Sequence, residues 1–265
     1  MVGNLYAPPG ARAPRLRTLG RVSATPLPLS ARFALWFSAW VTGRSSLDDT
    51  RDAIVGDDAG HDIAALPSRP DPLPLIVALG MLRSSRASGA GLALPVPGDL
   101  LGLGGPSAFN GEVVEAGEGV VLEGADLGVV PHRTGAGVVW TCHHAVSRRQ
   151  VPDPSEADAA LRLALVHTAD VLADLDVARW RPEVADELTG PRRTVDLGFP
   201  DDMSPRAVRL ASLAIRCRCI VELALEDDGA SITAAEADAR RTALGPLDRA
   251  ARRGLVAACT FPWQR

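Results

Sequence analysis

Apolar residues first recur at helical spacing where Phe33, Trp36, Phe37 and Trp40 stand at i, i+3, i+4 and i+7. That is one face of a helix, with Ser30 as its expected N-cap, an end near Thr42 and Gly43 as the stop. The residues before it, 1–28, are proline-rich and read as an extended arm with one strand near Leu16–Val22. A second helix is expected from Ser46, with Asp49 three residues on as a capping-box acid, ending at Gly56. Beyond the prolines at 67–74, a third runs from Leu75 to about Ser85, closed by Gly89.

The period then shortens. Gly91–Pro95, Val120–Glu123, Leu127–Val130 and Gly137–Cys142 are short apolar runs, bounded by glycine or proline, that read as strands. Pro106–Ala116 fits a helix between the first two. After Val151 no strand pattern stands out. Asp153 or Ser155 caps a helix to about Leu175 with Leu161, Leu165, Leu172 and Leu175 as its buried stripe. Ser204-Pro205 opens another, carrying Leu210, Leu213, Ala214, Cys217, Val221 and Ala224 and ended by Gly229. Thr233 and Glu236 form a capping box for the last, expected to break at Gly245-Pro246 and resume to about Cys259. The expected fold is α+β or α/β: a small mixed sheet with helices over 1–150, then an all-α bundle over 151–265.

Composition narrows the chemistry. All 28 basic residues are arginine, which excludes the lysine of a Walker A loop, a Schiff base, a kinase or a Ser-Lys dyad. Aromatic residues make up 4% of the chain and the net charge is −4, so a nucleic-acid role is not expected. No apolar run reaches the ~18 residues of a membrane span. The N-terminus shows no signal-peptide core, and Arg148-Arg149 lies too far along the chain to be a twin-arginine signal. Four cysteines are too few for a disulfide framework, so a reducing cytoplasm is the expected compartment. Residues 1–47 hold arginines and no acid, whereas 87–132 hold acids and no arginine. The favoured reading is that the basic stretch lies across the acidic one, the alternative being an acidic partner.

Four clusters are candidates for chemistry. The loop at 94–107 offers Gly98, Asp99, Gly102, Gly104, Gly105 and Ser107, with Asn110 in the following helix, as ligand contacts between a strand and a helix. Its spacing matches no dinucleotide or phosphate fingerprint, and backbone geometry explains the glycines at least as well. Asp57, Asp58, His61 and Asp62 suggest a hard-cation site or metal-dependent hydrolysis, but read more simply as a solvated turn. Cys142-His143-His144 with His132, Cys217, Cys219 and Cys259 would have to converge from afar to hold zinc, and Cys217 and Cys219 lie about 200° apart around a helix. His167, Asp170 and Asp174 share a helix face that a polar stripe explains equally well. Glu226-Asp227-Asp228 oppose a helix dipole and call for an arginine partner, for which the arginine-rich stretch 239–253 is the obvious source.

The segments Gly98-Asp99 to Asn110, Asp174 to Pro182 and Val221 to Gly229 resemble a group of uncharacterised actinobacterial proteins. The resemblance implies a bacterial origin and carries no residue roles. With no recognisable catalytic set, no lysine, and a helical half and charge asymmetry that offer interaction surfaces, the expected function is a non-catalytic adaptor or regulatory protein that binds another protein, without cofactor. A small-molecule site or enzyme at the glycine loop is the alternative, and self-association is left open.

Overall fold

The structure, a computed structural model, describes residues 27–146, 151–174, 197–225 and 234–260. The expected arm and its strand near Leu16–Val22, and the acids at 226–228, lie outside them. Seven helices and six strands are present among the described residues: α1 (Leu29–Val41), α2 (Leu47–Val55), β1 (His61–Ala64), β2 (Leu73–Pro74), α3 (Leu75–Ser84), β3 (Gly89–Ala93), α4 (Ser107–Ala116), β4 (Gly119–Glu123), β5 (Leu127–Thr134), β6 (Gly137–His144), α5 (Pro154–Asp174), α6 (Pro205–Leu225) and α7 (Ala234–Ala258). The fold is α+β: one six-stranded mixed sheet, then helices only.

Strand order is β2-β1-β6-β5-β4-β3, antiparallel throughout except for β1 beside β6. Side chains alternate across a strand, and the chain exploits that period to build two cores. Ala90, Leu92, Val120, Leu122 and Val129 point to the face that carries α1. Ala93, Val121 and Val130 point to the opposite face, where Phe109 and Val113 of α4 cover them. Gly128 is required there, since a Cβ would sit 2.4 Å from the Phe109 ring.

α1 differs from the amphipathic helix its aromatic face suggests. Phe33 and Phe37 are fully buried, but so are Ala31, Ala34 and Leu35, so the helix is apolar nearly all round, as suits an element enclosed by the core. Ser30 is not its cap. Pro28 occupies the cap position without a side-chain bond, and the Ser30 N–H donates to Glu118 Oε2 at 2.7 Å. A carboxylate 88 residues away thus supplies what a local cap would have. Ser38, buried on the same helix, accepts from the Ala90 N–H at 2.9 Å and so occupies a backbone donor of the edge strand β3.

Other local expectations hold. Ser46 caps α2 through the Asp49 N–H, Asp153 Oδ1 accepts from the Ser155 and Glu156 N–H groups at the start of α5, and Ser204 Oγ accepts from the Ala207 N–H at the start of α6. Two expectations do not. β1 and β2 replace the solvated turn and loop, because His61-Asp62 breaks any apolar run in β1 and β2 has only two residues. And α7 runs unbroken through Pro246. Proline inside a helix costs about 3 kcal/mol, which the burial of Leu244, Leu247, Ala251 and Leu255 along the same helix offsets.

The helical part joins the sheet through one continuous core that extends from Leu27 to Cys259. Gly254 allows this. Leu210 of α6 and Leu161 of α5 both approach its Cα, at 3.2 and 3.4 Å from where a Cβ would stand. Polar contacts add to the junction: Trp36 Nε1–H donates to the Gly198 carbonyl at 2.9 Å, and Arg44 pairs with Asp202 at 2.7 Å.

Candidate functional site

Glycine conformation shapes the loop at 94–107. Gly98 turns at φ +86°, closing a small bridge between Val96 and Asp99. Gly102, at φ +83°, lies so close to β3 that a Cβ would meet the Leu92 carbonyl oxygen at 2.6 Å and the Ala93 Cα at 2.8 Å. Leu94, Leu101 and Leu103 are buried around it. The Gly105 N–H donates to Asn110 Oδ1 at 3.1 Å, and Gly105 precedes a cis proline. Gly104 and Ser107 are exposed. Asp99 accepts from Arg252 of α7 at 3.2 Å, and a second nitrogen of that guanidinium donates to the Leu94 carbonyl at 3.0 Å. The polar groups of the loop are largely spent on holding it against β3 and α7. None of the seven candidate contacts lines either of the two cavities described below.

The Asp57–Asp62 segment is better organised than a solvated turn. Asp58 accepts from His61 Nε2 at 3.0 Å, Arg133 at 3.0 Å and Arg32 at 3.3 Å. His61 Nδ1 accepts from the Trp140 indole N–H at 3.2 Å, which assigns the ring proton to Nε2. Burial pushes the Asp58 carboxyl up, but the His61 and Arg133 hydrogen bonds and both arginine charges outweigh it and hold the group below its usual range. Burial likewise lowers His61, against the opposing pull of Asp58. An ionised Asp58 beside a neutral His61 satisfies both. The pair resembles a catalytic dyad only in outline, because both imidazole nitrogens are occupied and the ring is sealed from solvent. Asp57 and Asp62 are exposed and do not join it. The arginines of the basic stretch that are described, Arg32 and Arg44, therefore find Asp58 and Asp202, not the acids of 87–132.

No group of three or more metal-ligating side chains converges among the described residues. All four cysteines are free. Burial pushes Cys142 up to about 11, Cys217 to about 12 and Cys259 further still, so these thiols stay protonated and unreactive. His143 and His144 leave β6 on opposite faces, with His143 beside Phe109 and His144 bonded to the Asp126 carbonyl. His167 and Asp170 are exposed.

Two cavities stand out among the described residues. One, about 280 Å³, lies where the two parts of the chain meet, between Pro28, Leu94, Glu118, Ile215, Arg218 and Leu255. Burial raises the Glu118 carboxyl above its usual range, opposed by the Ser30 N–H bond. The other, about 460 Å³, lies between α5 and α7. Its lining includes the small residues Ala160, Ala164, Gly245 and Ala250, together with Thr242 and Pro246, and the arginines Arg241, Arg249 and Arg253. All three arginines are exposed. Arg241 meets Asp238 at 3.2 Å, whereas neither Arg249 nor Arg253 has a carboxylate partner among the described residues. On α5, Leu163 and Val166 are 72% and 61% exposed. The arginine run at 239–253 was legible as a run, but its opening onto α5 was not, because it depends on how two distant helices pack. Glu118 and Arg252 fell within the acidic and arginine-rich stretches, but nothing in the sequence singled them out there.

Comparison with known proteins adds a family. Residues 30–157 match the model described as Rv1486c-like protein, N-terminal domain, and residues 155–256 the model described as Rv1486c-like protein, C-terminal domain. The Uncharacterized protein Rv1486c of Mycobacterium tuberculosis (strain ATCC 25618 / H37Rv) is 25% identical over 278 residues, covering 87% of this chain and 96% of the relative. The Uncharacterized protein MT1533 of strain CDC 1551 / Oshkosh aligns with the same identity and coverage. No solved structure matches.

Proposed function

The chain belongs to the Rv1486c-like family, and we propose that it acts there as a non-catalytic adaptor or regulatory protein that holds another protein on the groove between α5 and α7. The groove carries this reading: two exposed arginines without an internal carboxylate among the described residues stand beside small side chains of α5 and α7, while Leu163 and Val166 are exposed on α5 outside the groove. Exposed apolar and arginine side chains together are the composition of protein-binding surfaces. The reading places the protein in the cytoplasm, in line with its four free thiols, and no described helix is long and apolar enough to cross a membrane.

The test compares wild type with Arg249→Glu/Arg253→Glu. A partner captured from lysate of the source bacterium is identified by mass spectrometry, purified and mixed back with each form. A reconstituted complex that forms with wild type and fails with the variant is expected. A complex that forms equally with both, or no reconstituted complex, overturns the proposal.

A further inference from the structure

We infer that the α5–α7 groove receives an acidic amphipathic helix of its partner, whose carboxylates range along Arg241, Arg249 and Arg253 and whose apolar stripe lies on Ala160, Ala164 and Ala250. The inference rests on the protein-binding reading above and adds the chemistry of the partner segment.

Three observations lead to it. First, the arginines form a row and not a cluster. They stand at i, i+8 and i+12 of one helix, so their Cα positions spread along about 18 Å of its axis. A single phosphate or carboxylate cannot span that row. A helix laid beside α7 can, because acids four residues apart rise by about 6 Å, the same step as Arg249 to Arg253. Second, the lining includes alanine and glycine from both α5 and α7, beside Thr242 and Pro246, and small residues let a third helix approach closely. Third, the nearby acids are already engaged: Asp158 holds Arg162, Asp248 holds Arg252, and Asp238 holds Arg241. Among the described residues the groove is thus left with the positive charge of Arg249 and Arg253, which selects an acidic segment and repels a basic one. An arginine row also suits a nucleic-acid backbone, but the apolar floor has no phosphate to meet, so a peptide is favoured.

Fluorescence anisotropy with the full-length protein tests this. The probes are labelled peptides of about 18 residues, long enough for about 27 Å of helix. One carries glutamate and leucine in an amphipathic pattern, a second has glutamine for every glutamate, and a third has two central prolines. A labelled DNA duplex is the fourth probe. Binding of the acidic peptide at least about tenfold tighter than the glutamine peptide is expected, with a similar loss in Arg249→Glu/Arg253→Glu. Ala164→Trp, which fills the floor and leaves the arginines intact, should abolish binding as well. Circular dichroism and the melting temperature report that the variants, all at solvent-accessible positions, remain folded. Equal binding of the glutamine or proline peptide, no effect of charge reversal, or binding of DNA alone overturns the inference. If every peptide fails while the reconstituted partner of the preceding experiment still depends on Arg249 and Arg253, the acidic-helix inference falls and the protein-binding reading survives.

Discussion

Arg252 should be worth several degrees of thermal stability, far more than an arginine on a helix surface usually is. Its side chain is 7% exposed and makes three directed bonds, to Asp248 one turn away, to the Leu94 carbonyl and to Asp99 across the domain junction. Substitution by methionine keeps the aliphatic stem and removes the guanidinium. Breaking a fully buried ion pair from one side costs about 3–5 kcal/mol. Asp99 and Asp248 are 28% and 35% exposed, so water recovers part of that cost once the arginine has gone. The Leu94 carbonyl is buried and has no such recourse. The sum is about 2–3 kcal/mol, or about 5–10 °C in Tm for a chain of this size. Differential scanning calorimetry measures it, and a double-mutant cycle with Asp99→Asn isolates the inter-element part. Hydrogen exchange should accelerate over residues 94–105 first, because the loop loses its anchor to α7. Arg252→Lys should fall between, since one ammonium cannot match three acceptors set by a planar fork. A methionine variant melting within about 1 °C of wild type would mean that water, not Arg252, satisfies these groups, and would refute the reasoning.

His61 predicts an acid sensitivity. Its folded proton affinity lies below the ordinary 6.5, so the unfolded chain binds the extra proton first and stability is lost as pH falls from about 6.5 toward the folded value. Urea melts at pH 7.5 and 5.5 should show that loss in wild type and less of it in His61→Asn, and equal losses would count against a buried neutral imidazole. Gly102→Ala should destabilise by more than about 2 kcal/mol, since positive φ and a backbone collision act together, whereas Gly98→Ala, with the same sign of φ and open space, should cost about 1 kcal/mol. Equal chemical-denaturation midpoints for the two would show that the 94–107 loop is not packed against β3 as described.

The sequence by itself determined the elements whose signals are local. Ser46 with Asp49, Asp153 or Ser155, and Ser204 with Pro205 mark helix starts because a cap needs only residues within one turn, and Ser46, Asp153 and Ser204 act as caps in the structure. The strands from β3 to β6 and the change to helices after 151 were legible too, the strands as apolar runs bounded by glycine or proline. Tertiary structure decided the rest. It gave α1 a capping carboxylate from Glu118, turned a run of acids into the Asp58–His61–Trp140 chain, let packing override Pro246, and sent Arg252 to a loop about 150 positions earlier. The arginine groove belongs to the same class: α5 and α7 are separated by a whole helix in sequence, and their shared surface exists only once the buried stripes of all three have packed. Short-range hydrogen bonds are fixed by chain geometry and can be read from spacing. Contacts across long loops are chosen by the burial of the whole core, and no local pattern records that choice.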